Sequence, residues 1–232
     1  MHLVDAIETG NIKRVKECLA QGADVNEPNE YGETPLERAS DNGNTQMVSF
    51  LLKNGAKIVG NWPRLFAPLH GKPHIFKRLL KAGWDPNFVD LRGESTMLTS
   101  SVRHGYSRGV SRLLEAGADP NLSEPGDIGA TPLMIAAYYD HINIMKKLLA
   151  YGADINARDK TGINALFYVF IGIVKRRNYL RTVRWLVKHG IDLNTRHKES
   201  GKSVLTFMGD PRKGERRFNE VDLYLLAHGA KY

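Results

Sequence analysis

Apolar and polar positions follow a phrase that returns along the whole chain: two apolar residues, two variable ones, a glycine and a polar turn. Examples are LLEAGADPN at 113–121 and LLAYGADIN at 148–156. The glycines of successive phrases are Gly22, Gly55, Gly83, Gly117, Gly152, Gly190 and Gly229. Because glycine readily adopts the left-handed conformation that ends many helices, each phrase predicts a helix C-terminus.

A second phrase keeps a nearly constant distance from the first. It reads TPLE at 34–37 and TPLM at 131–134, with the looser forms APLH, TMLT, NALF and SVLT in other places. Threonine is a good helix N-cap and proline suits the first helical turn, so each such phrase predicts a helix start. A polar turn such as Gly43-Asn44 then divides the stretch into two short helices. The predicted unit is therefore turn, helix, turn, helix.

These two phrases, recurring in register, resemble the ankyrin-repeat family, whose unit has about 33 residues and a T-P-L-H-x-A signature. The resemblance implies an all-α solenoid of helix-turn-helix units with β-hairpin-like turn fingers, formed as a single domain over 1–232. The last unit departs from the pattern at Asp222, where other units have an apolar residue. We expect Asp222 to face solvent, because a terminal repeat needs a polar outer face. The predicted repeats are roughly 1–28, 29–61, 62–89, 90–125, 126–158, 159–196 and 197–232.

Composition limits the environment in which the chain is expected to work. With 42% hydrophobic and 25% charged residues, it has the composition of a globular protein, and one cysteine excludes an internal disulfide framework. Asp5 and Glu8 interrupt the segment where a signal peptide would need an apolar run. The longest apolar run, 165–174, is about half the length that spans a bilayer. We expect a monomer without a membrane span, located in the cytoplasm, or in a host cytosol if the protein is an effector.

No recognised signature of catalysis occurs in the sequence. It contains no GxSxG elbow, HExxH, Walker loop or GxGxxG, and GDPRKG at 209–214 lacks the order of a phosphate-binding loop. His70 and His74 have helical metal-ligand spacing, but Pro73 lies between them and no third ligand follows at a matching distance. We therefore expect no enzyme, no metal site and no cofactor, while an enzyme with an unrecognised site stays an alternative.

The family resemblance implies that partners bind at the finger tips and along the first helices, which line a concave groove. Tyr, Trp and Arg, the common anchors of interfaces, occur at several of these positions. Trp62 has the alternative of filling the gap left by a shortened third unit. The predicted partner-binding residues are Tyr31, Glu33, Asp41, Trp62, Arg64, Arg92, Arg103, His104, Tyr138, Tyr139 and Lys160.

Charge is distributed unevenly along the chain. Residues 1–156 carry 17 basic and 18 acidic side chains, whereas residues 157–232 carry 16 basic and seven acidic ones. One basic stripe has helical spacing, and a second cluster lies in a segment inserted into the last unit. A solvated outer face, a docking surface for an acidic protein, and a site for nucleic acid or membrane phosphates all fit this pattern. The predicted basic patch comprises Arg177, Arg181, Arg184, Lys188, Arg212, Lys213, Arg216 and Arg217.

The pattern favours a non-enzymatic protein–protein interaction module that binds one partner in its groove. Such a module inhibits, masks or scaffolds its partner, and the resemblance suggests a toxin-neutralising immunity protein or a host-directed effector as examples. The alternative is a binder of nucleic acid or another anionic ligand through the basic C-terminal third.

Overall fold

A computed structural model of the protein describes residues 3–58, 73–89, 95–126, 128–172, 179–207, 212 and 219–232. The chain divides into two compact units, residues 1–92 and residues 93–232. The described helices of the first unit are α1 (Leu3–Glu8), α2 (Ile12–Ala20), α3 (Pro35–Asp41), α4 (Thr45–Lys53) and α5 (Pro73–Lys81). Those of the second unit are α6 (Met97–Arg103), α7 (Ser107–Glu115), α8 (Pro132–Tyr138), α9 (Ile142–Ala150), α10 (Ala165–Gly172), α11 (Leu180–Lys188), α12 (Val204–Phe207) and α13 (Glu220–Ala227).

The helix starts predicted from the TPL phrases are confirmed where the phrase lies within the described residues, which do not include APLH at 67–70. Helix α3 begins at Pro35 behind the N-cap Thr34, whose hydroxyl accepts a hydrogen bond from the Glu37 amide at 3.3 Å. The Glu37 side chain accepts in return from the Thr34 amide at 2.8 Å, which completes a capping box. Thr131 caps α8 in the same way, with Pro132 as its first residue. Two amides that lack a helical partner are thus satisfied at the start of each of these helices.

The predicted helix ends are also confirmed. After α9, Gly152 has φ 89°, and its amide donates to the Leu149 carbonyl at 3.1 Å. The next amide, that of Ala153, returns to the Leu148 carbonyl at 2.9 Å, so the left-handed glycine satisfies carbonyls that the helix leaves open. The same conformation occurs at the equivalent glycine of every other repeat.

Short fingers connect the repeats, and they close by single backbone hydrogen bonds rather than by sheet ladders. The Glu124 amide donates to the Ala130 carbonyl at 2.9 Å, and the Asp159 amide donates to the Ile163 carbonyl at 3.0 Å. The last finger has one antiparallel bridge, between Arg196 and Ser203. No extended strand occurs in the parts of the chain that the structure describes, so the all-α architecture with hairpin-like fingers is confirmed.

The helices of the second unit form two rows. The first helices of successive repeats pack side by side, α6 on α8, α8 on α10 and α10 on α12, while the second helices lie outside them, with α7 on α9. Apolar side chains between the rows are excluded from water, which is the main stabilising contribution in a repeat protein. Fully buried examples are Leu98, Leu113, Leu133, Met134, Phe167 and Leu186.

One asparagine in each of several repeats bonds the next repeat. Asn121 donates from Nδ2 to the Gly152 carbonyl at 2.9 Å, and its Oδ1 accepts from the Asp154 amide at 2.7 Å. Asn26, Asn156 and Asn194 make the same pair of bonds. The asparagine that recurs two residues after the GAD triplet is therefore a structural link between neighbouring repeats.

The expectation for Asp222 is wrong. Asp222 is only 1% exposed, and its side chain accepts from the Asn219 amide at 2.9 Å. Asn219 in turn accepts from the amides of Val221 and Asp222, so the two residues form a capping box at the start of α13. A polar side chain occupies this position because it caps the helix, and not because it faces solvent.

Candidate protein-binding groove

An open groove of about 530 Å³ lies in the second unit, between the fingers and the first helices. Its helical wall comes from the C-terminal ends of α6, α8, α10 and α12, and its other wall comes from three successive fingers. Tyr138, Tyr139 and Arg103, all predicted from the repeat register, meet in it. The lining residues are Arg103, Glu124, Gly126, Ile128, Gly129, Ala130, Ile135, Tyr138, Tyr139, Asp159, Thr161, Ile163, Tyr168, Ile171, His197 and Phe207.

The adjacent tyrosines take fixed positions at the end of α8. Their ring centroids are 4.8 Å apart in an edge-to-face arrangement, and the Tyr139 ring also stacks on His141 at 5.8 Å. The chain leaves the helix through Asp140, which has φ 60° where most other repeats have glycine. The Thr182 hydroxyl donates to the Asp140 side chain and supports this otherwise unfavourable backbone conformation.

Arg103 is held at the end of α6 by an ion pair. Its Nη2 is 2.6 Å from Oε1 of Glu124, and the Arg103 and Glu124 side chains are 42% and 15% exposed. Burial on its own would lower the pKa of Arg103, but its hydrogen bond to Glu124 and the charge of Glu124, with a further hydrogen bond that Arg103 donates to Tyr139, hold that pKa above its usual value. The guanidinium is therefore a fixed positive group on the groove wall.

The floor of the groove contains a buried polar pair. The Tyr168 hydroxyl donates to Oδ2 of Asp159 at 2.9 Å, while Oδ1 of Asp159 accepts from the hydroxyl of Thr161 at 2.7 Å and from its amide at 2.9 Å. Burial, together with the hydrogen bond and charge of Asp159, raises the pKa of Tyr168 above its usual value. Tyr168 is therefore a protonated donor, and Asp159 ties the finger to α10.

Sequence reasoning missed several residues of the groove. Glu124, Asp159, Tyr168 and Phe207 lie in it, and none of them was predicted as a site residue. Tyr168 and Phe207 lie on helical stretches that the repeat pattern assigns to the core. Asp159 could have been found from the sequence, because it is the polar residue directly before the finger turn at Lys160-Thr161-Gly162. Nothing in the repeat pattern distinguishes Glu124.

Other predicted binding residues have different surroundings. Lys160 lies on the finger beside the groove, and His104 ends α6 with its ring stacked on Tyr106 at 5.5 Å. In the first unit Tyr31 is 74% exposed at a finger tip, and Asp41 is the last residue of α3. Glu33 is only 4% exposed and accepts from Arg38 and Asn29, so it stabilises its own finger. Trp62, Arg64 and Arg92 lie outside the described residues.

The predicted basic stripe lies on the outer row. Arg181, Arg184 and Lys188 are exposed on α11, and Arg184 pairs with Glu220 at 3.0 Å while lying over the Tyr224 ring. The Arg212 guanidinium carbon is 3.7 Å from the centroid of the Tyr232 ring. The remaining residues of this prediction, Arg177, Lys213, Arg216 and Arg217, lie outside the described residues.

Two properties of the described residues bear on the kind of site. Among the described residues, no cluster of three histidine, cysteine or carboxylate side chains is arranged to hold a metal ion, and His70 is not among those residues. None of the described helices has both the length and the apolar character needed to cross a membrane.

Comparison with known proteins agrees with the repeat pattern. Two models of ankyrin repeats match residues 3–52 and 65–159. The chain also matches the crystal structure of the human ASB11 ankyrin repeat domain with a TM-score of 0.68, at 23% identity, covering 99% of this chain and 98% of that one. The protein belongs to the ankyrin-repeat family. Ankyrin repeats are generally modules for binding other proteins.

Two curated relatives are much longer than this chain. The E3 ubiquitin-protein ligase KEG of Arabidopsis thaliana is 35% identical over 115 residues, which cover 46% of this chain and 7% of KEG. The human palmitoyltransferase ZDHHC17 is 30% identical over 165 residues, which cover 68% of this chain and 26% of that enzyme. The similarity is therefore confined to a minor part of each relative.

Proposed function

We propose that this protein is a non-enzymatic binding module and that a protein partner docks in the groove of residues 93–232. The observation that carries the proposal is the meeting of Arg103, Tyr138 and Tyr139 on one groove wall. Tyrosine and arginine are over-represented among the residues that dominate binding energy, because they combine a large contact area with polar groups. A partner would bury these side chains together with the apolar wall behind them.

The groove is supported as a binding site by the fixed positions of its side chains. The Tyr138 and Tyr139 rings contact each other, and Arg103 is held by Glu124. Binding costs less when the contacting side chains are already ordered, because little rotamer entropy remains to be lost.

A module of this kind acts by occupying, masking or scaffolding its partner. Neutralising a toxin, as an immunity protein does, and binding a host protein, as an effector does, are two roles that a groove without catalysis can fill. The proposal extends to a monomer that acts in the cytoplasm. It requires no cofactor.

Affinity purification with quantitative mass spectrometry tests the groove. The test variant is Tyr138→Ala/Tyr139→Ala, and the matched control is Tyr151→Ala/Leu223→Ala, because those two large side chains are exposed in the same unit but do not line the groove. We expect wild type and control to capture the same partner, and the groove variant to lose it by about tenfold or more. Equal capture by all three folded proteins would refute the choice of surface.

A second candidate function rests on the exposed basic stripe of α11. Arg181 and Lys188 face solvent there, and a polyanion such as RNA or DNA would neutralise them. This candidate predicts binding at about 150 mM salt that Arg181→Glu/Arg184→Glu abolishes. Weak binding that is unaffected by that charge reversal would eliminate it.

A further inference from the structure

We propose that the groove takes an extended acidic segment of the partner protein, with one large apolar side chain inserted between the fingers and the first helices. This inference rests on the proposed function and specifies the chemistry of its partner. Three features of the second unit carry it: the pairing of the polar groups in the groove, the lysines on its rim, and the spacing of the fingers.

The interior of the groove favours an apolar group. Ile135, Ile163 and Phe207 contribute hydrocarbon to its lining, and Ile128 is 57% exposed at its edge. The polar groups beside them are already bonded to one another, Tyr168 with Asp159 and Arg103 with Glu124. A polar or charged side chain inserted here would have to break these hydrogen bonds, or it would lose its bound water without gaining hydrogen bonds from the protein. A leucine, isoleucine, phenylalanine or tryptophan side chain would instead gain burial.

The rim carries positive charges in fixed places. Lys160 donates from Nζ to the Gly126 carbonyl at 3.0 Å, and Lys198 donates from Nζ to the Lys160 carbonyl at 2.8 Å. Each ammonium group thus uses one of its three N–H donors to bond a neutral carbonyl. This bond fixes the position of the positive charge and does not neutralise it. Both side chains are exposed on fingers that border the groove.

The surrounding finger residues do not cancel this charge. Residues 158–160 and 196–202 contain five basic and two acidic side chains, and one of the two acids is the buried Asp159. The preceding finger carries two acids in its sequence, Asp127 and Glu124, and Glu124 is already paired with Arg103. Arg158 is paired with Asp192, so the three fingers keep a smaller excess of positive charge. Charge complementarity therefore selects a partner segment with carboxylates that reach the two lysines.

The spacing of the fingers sets the spacing of those carboxylates. Adjacent fingers are bonded to each other, since the Lys160 amide donates to the Ile128 carbonyl at 3.0 Å and the Lys198 amide donates to the Thr161 carbonyl at 2.8 Å. Extended segments bonded directly in this way lie about 5 Å apart, so one partner segment can reach Lys160 and Lys198 together. An extended chain advances about 3.3 Å per residue, so the matching acidic residues are expected within about three positions of each other.

Selection of a phage-displayed random peptide library on the immobilised full-length chain tests this chemistry. We expect enriched peptides to combine one large apolar residue with two Asp or Glu residues within about three positions of each other. Their affinity, measured by fluorescence anisotropy, should fall about three- to thirtyfold in Lys160→Gln/Lys198→Gln, which corresponds to two exposed charge pairs. It should stay within about twofold in the matched control Arg181→Gln/Lys188→Gln, which removes the same charge from α11.

The outcomes separate this inference from the proposed function. Enriched peptides that need Tyr138 and Tyr139 but show no preference for acidic residues would overturn the inference and leave groove binding intact. An equal loss of affinity in Lys160→Gln/Lys198→Gln and in the control Arg181→Gln/Lys188→Gln would also overturn it. Non-specific attraction between the acidic peptide and the basic protein would then explain the effect of charge. A library that yields no peptide dependent on Tyr138 and Tyr139 would contradict both proposals.

Discussion

At the scale of single residues, the Tyr168–Asp159 pair shows how a few polar atoms hold the groove together. Asp159 accepts hydrogen bonds from the finger that contains it and from the Tyr168 hydroxyl of α10. The bond from Tyr168 is buried, so its loss leaves an Asp159 oxygen that water cannot easily satisfy, whereas the two bonds from Thr161 are only partly buried. The shape of the groove floor therefore depends on a hydroxyl that a phenylalanine would lack.

Replacing Tyr168 by phenylalanine should lower the free energy of unfolding by about 1–3 kcal/mol at neutral pH, because Asp159 loses a buried donor. The pKa of Tyr168 is raised by burial, so its contribution is present below about pH 10 and is lost as the unfolded state ionises at higher pH. Denaturant unfolding at several pH values should therefore show the difference between wild type and Tyr168→Phe shrinking as pH rises above about 10. The exposed Tyr151→Phe is the control, and a pH-independent difference would contradict this account.

Asp222 gives a second test at this scale. In two other repeats the position of Asp222 is occupied by the buried apolar residues Val48 and Val183. If packing alone determined which residue is stable there, Asp222→Leu would stabilise the last helix. Because Asp222 completes a capping box with Asn219, we expect Asp222→Leu to destabilise the protein by about 1–2 kcal/mol. Thermal unfolding checks this, with Leu223→Ala as the control, because the Leu223 side chain is exposed on α13. An increased melting temperature would show that the capping interpretation is wrong.

At the scale of elements, α8 and α10 approach each other closely behind the groove wall. A side chain added at Gly172 would place its Cβ 2.3 Å from the Tyr138 carbonyl oxygen, which is backbone and cannot turn away. Gly172 is thus required by packing rather than by its own backbone conformation. The same contact places Tyr138 at the end of its helix.

Gly172→Ala should therefore destabilise the protein by about 1–3 kcal/mol, because α10 has to move away from α8. The control is Gly126→Ala, since nothing lies within 4 Å of a Cβ added at Gly126. We expect that control to leave stability unchanged or slightly raised. Thermal unfolding of Gly172→Ala and Gly126→Ala, followed by circular dichroism, tests this prediction. Similar melting temperatures for the two variants would refute the close-packing explanation.

The sequence was sufficient to predict the elements because their signals are local and periodic. Thr34-Pro35 starts a helix and Gly152 follows the end of one, wherever the phrase recurs. Arg103 and Tyr138 were found by register, because the ends of first helices are equivalent from repeat to repeat. Glu124 was missed because its pairing with Arg103 joins two segments whose relation only the folded chain reveals.

At the scale of the whole molecule, the positive charge lies partly beside the groove and partly away from it. The C-terminal third carries most of the excess positive charge, and the exposed part of it divides between the fingers beside the groove and the outer helix α11. The prediction that residues 1–232 form a single domain stays a prediction. The central claim concerns residues 93–232, where the fingers and the first helices form the groove.

Hydrogen–deuterium exchange of the chain, with and without its captured partner, tests that claim most directly. If the partner docks in the groove, amides of 124–130, 138–140 and 160–163 should exchange more slowly in the complex, because these segments line or border it. The outer helices α7, α9 and α11 should exchange at unchanged rates. Protection confined to those outer helices, with the finger segments unaffected, would contradict the account.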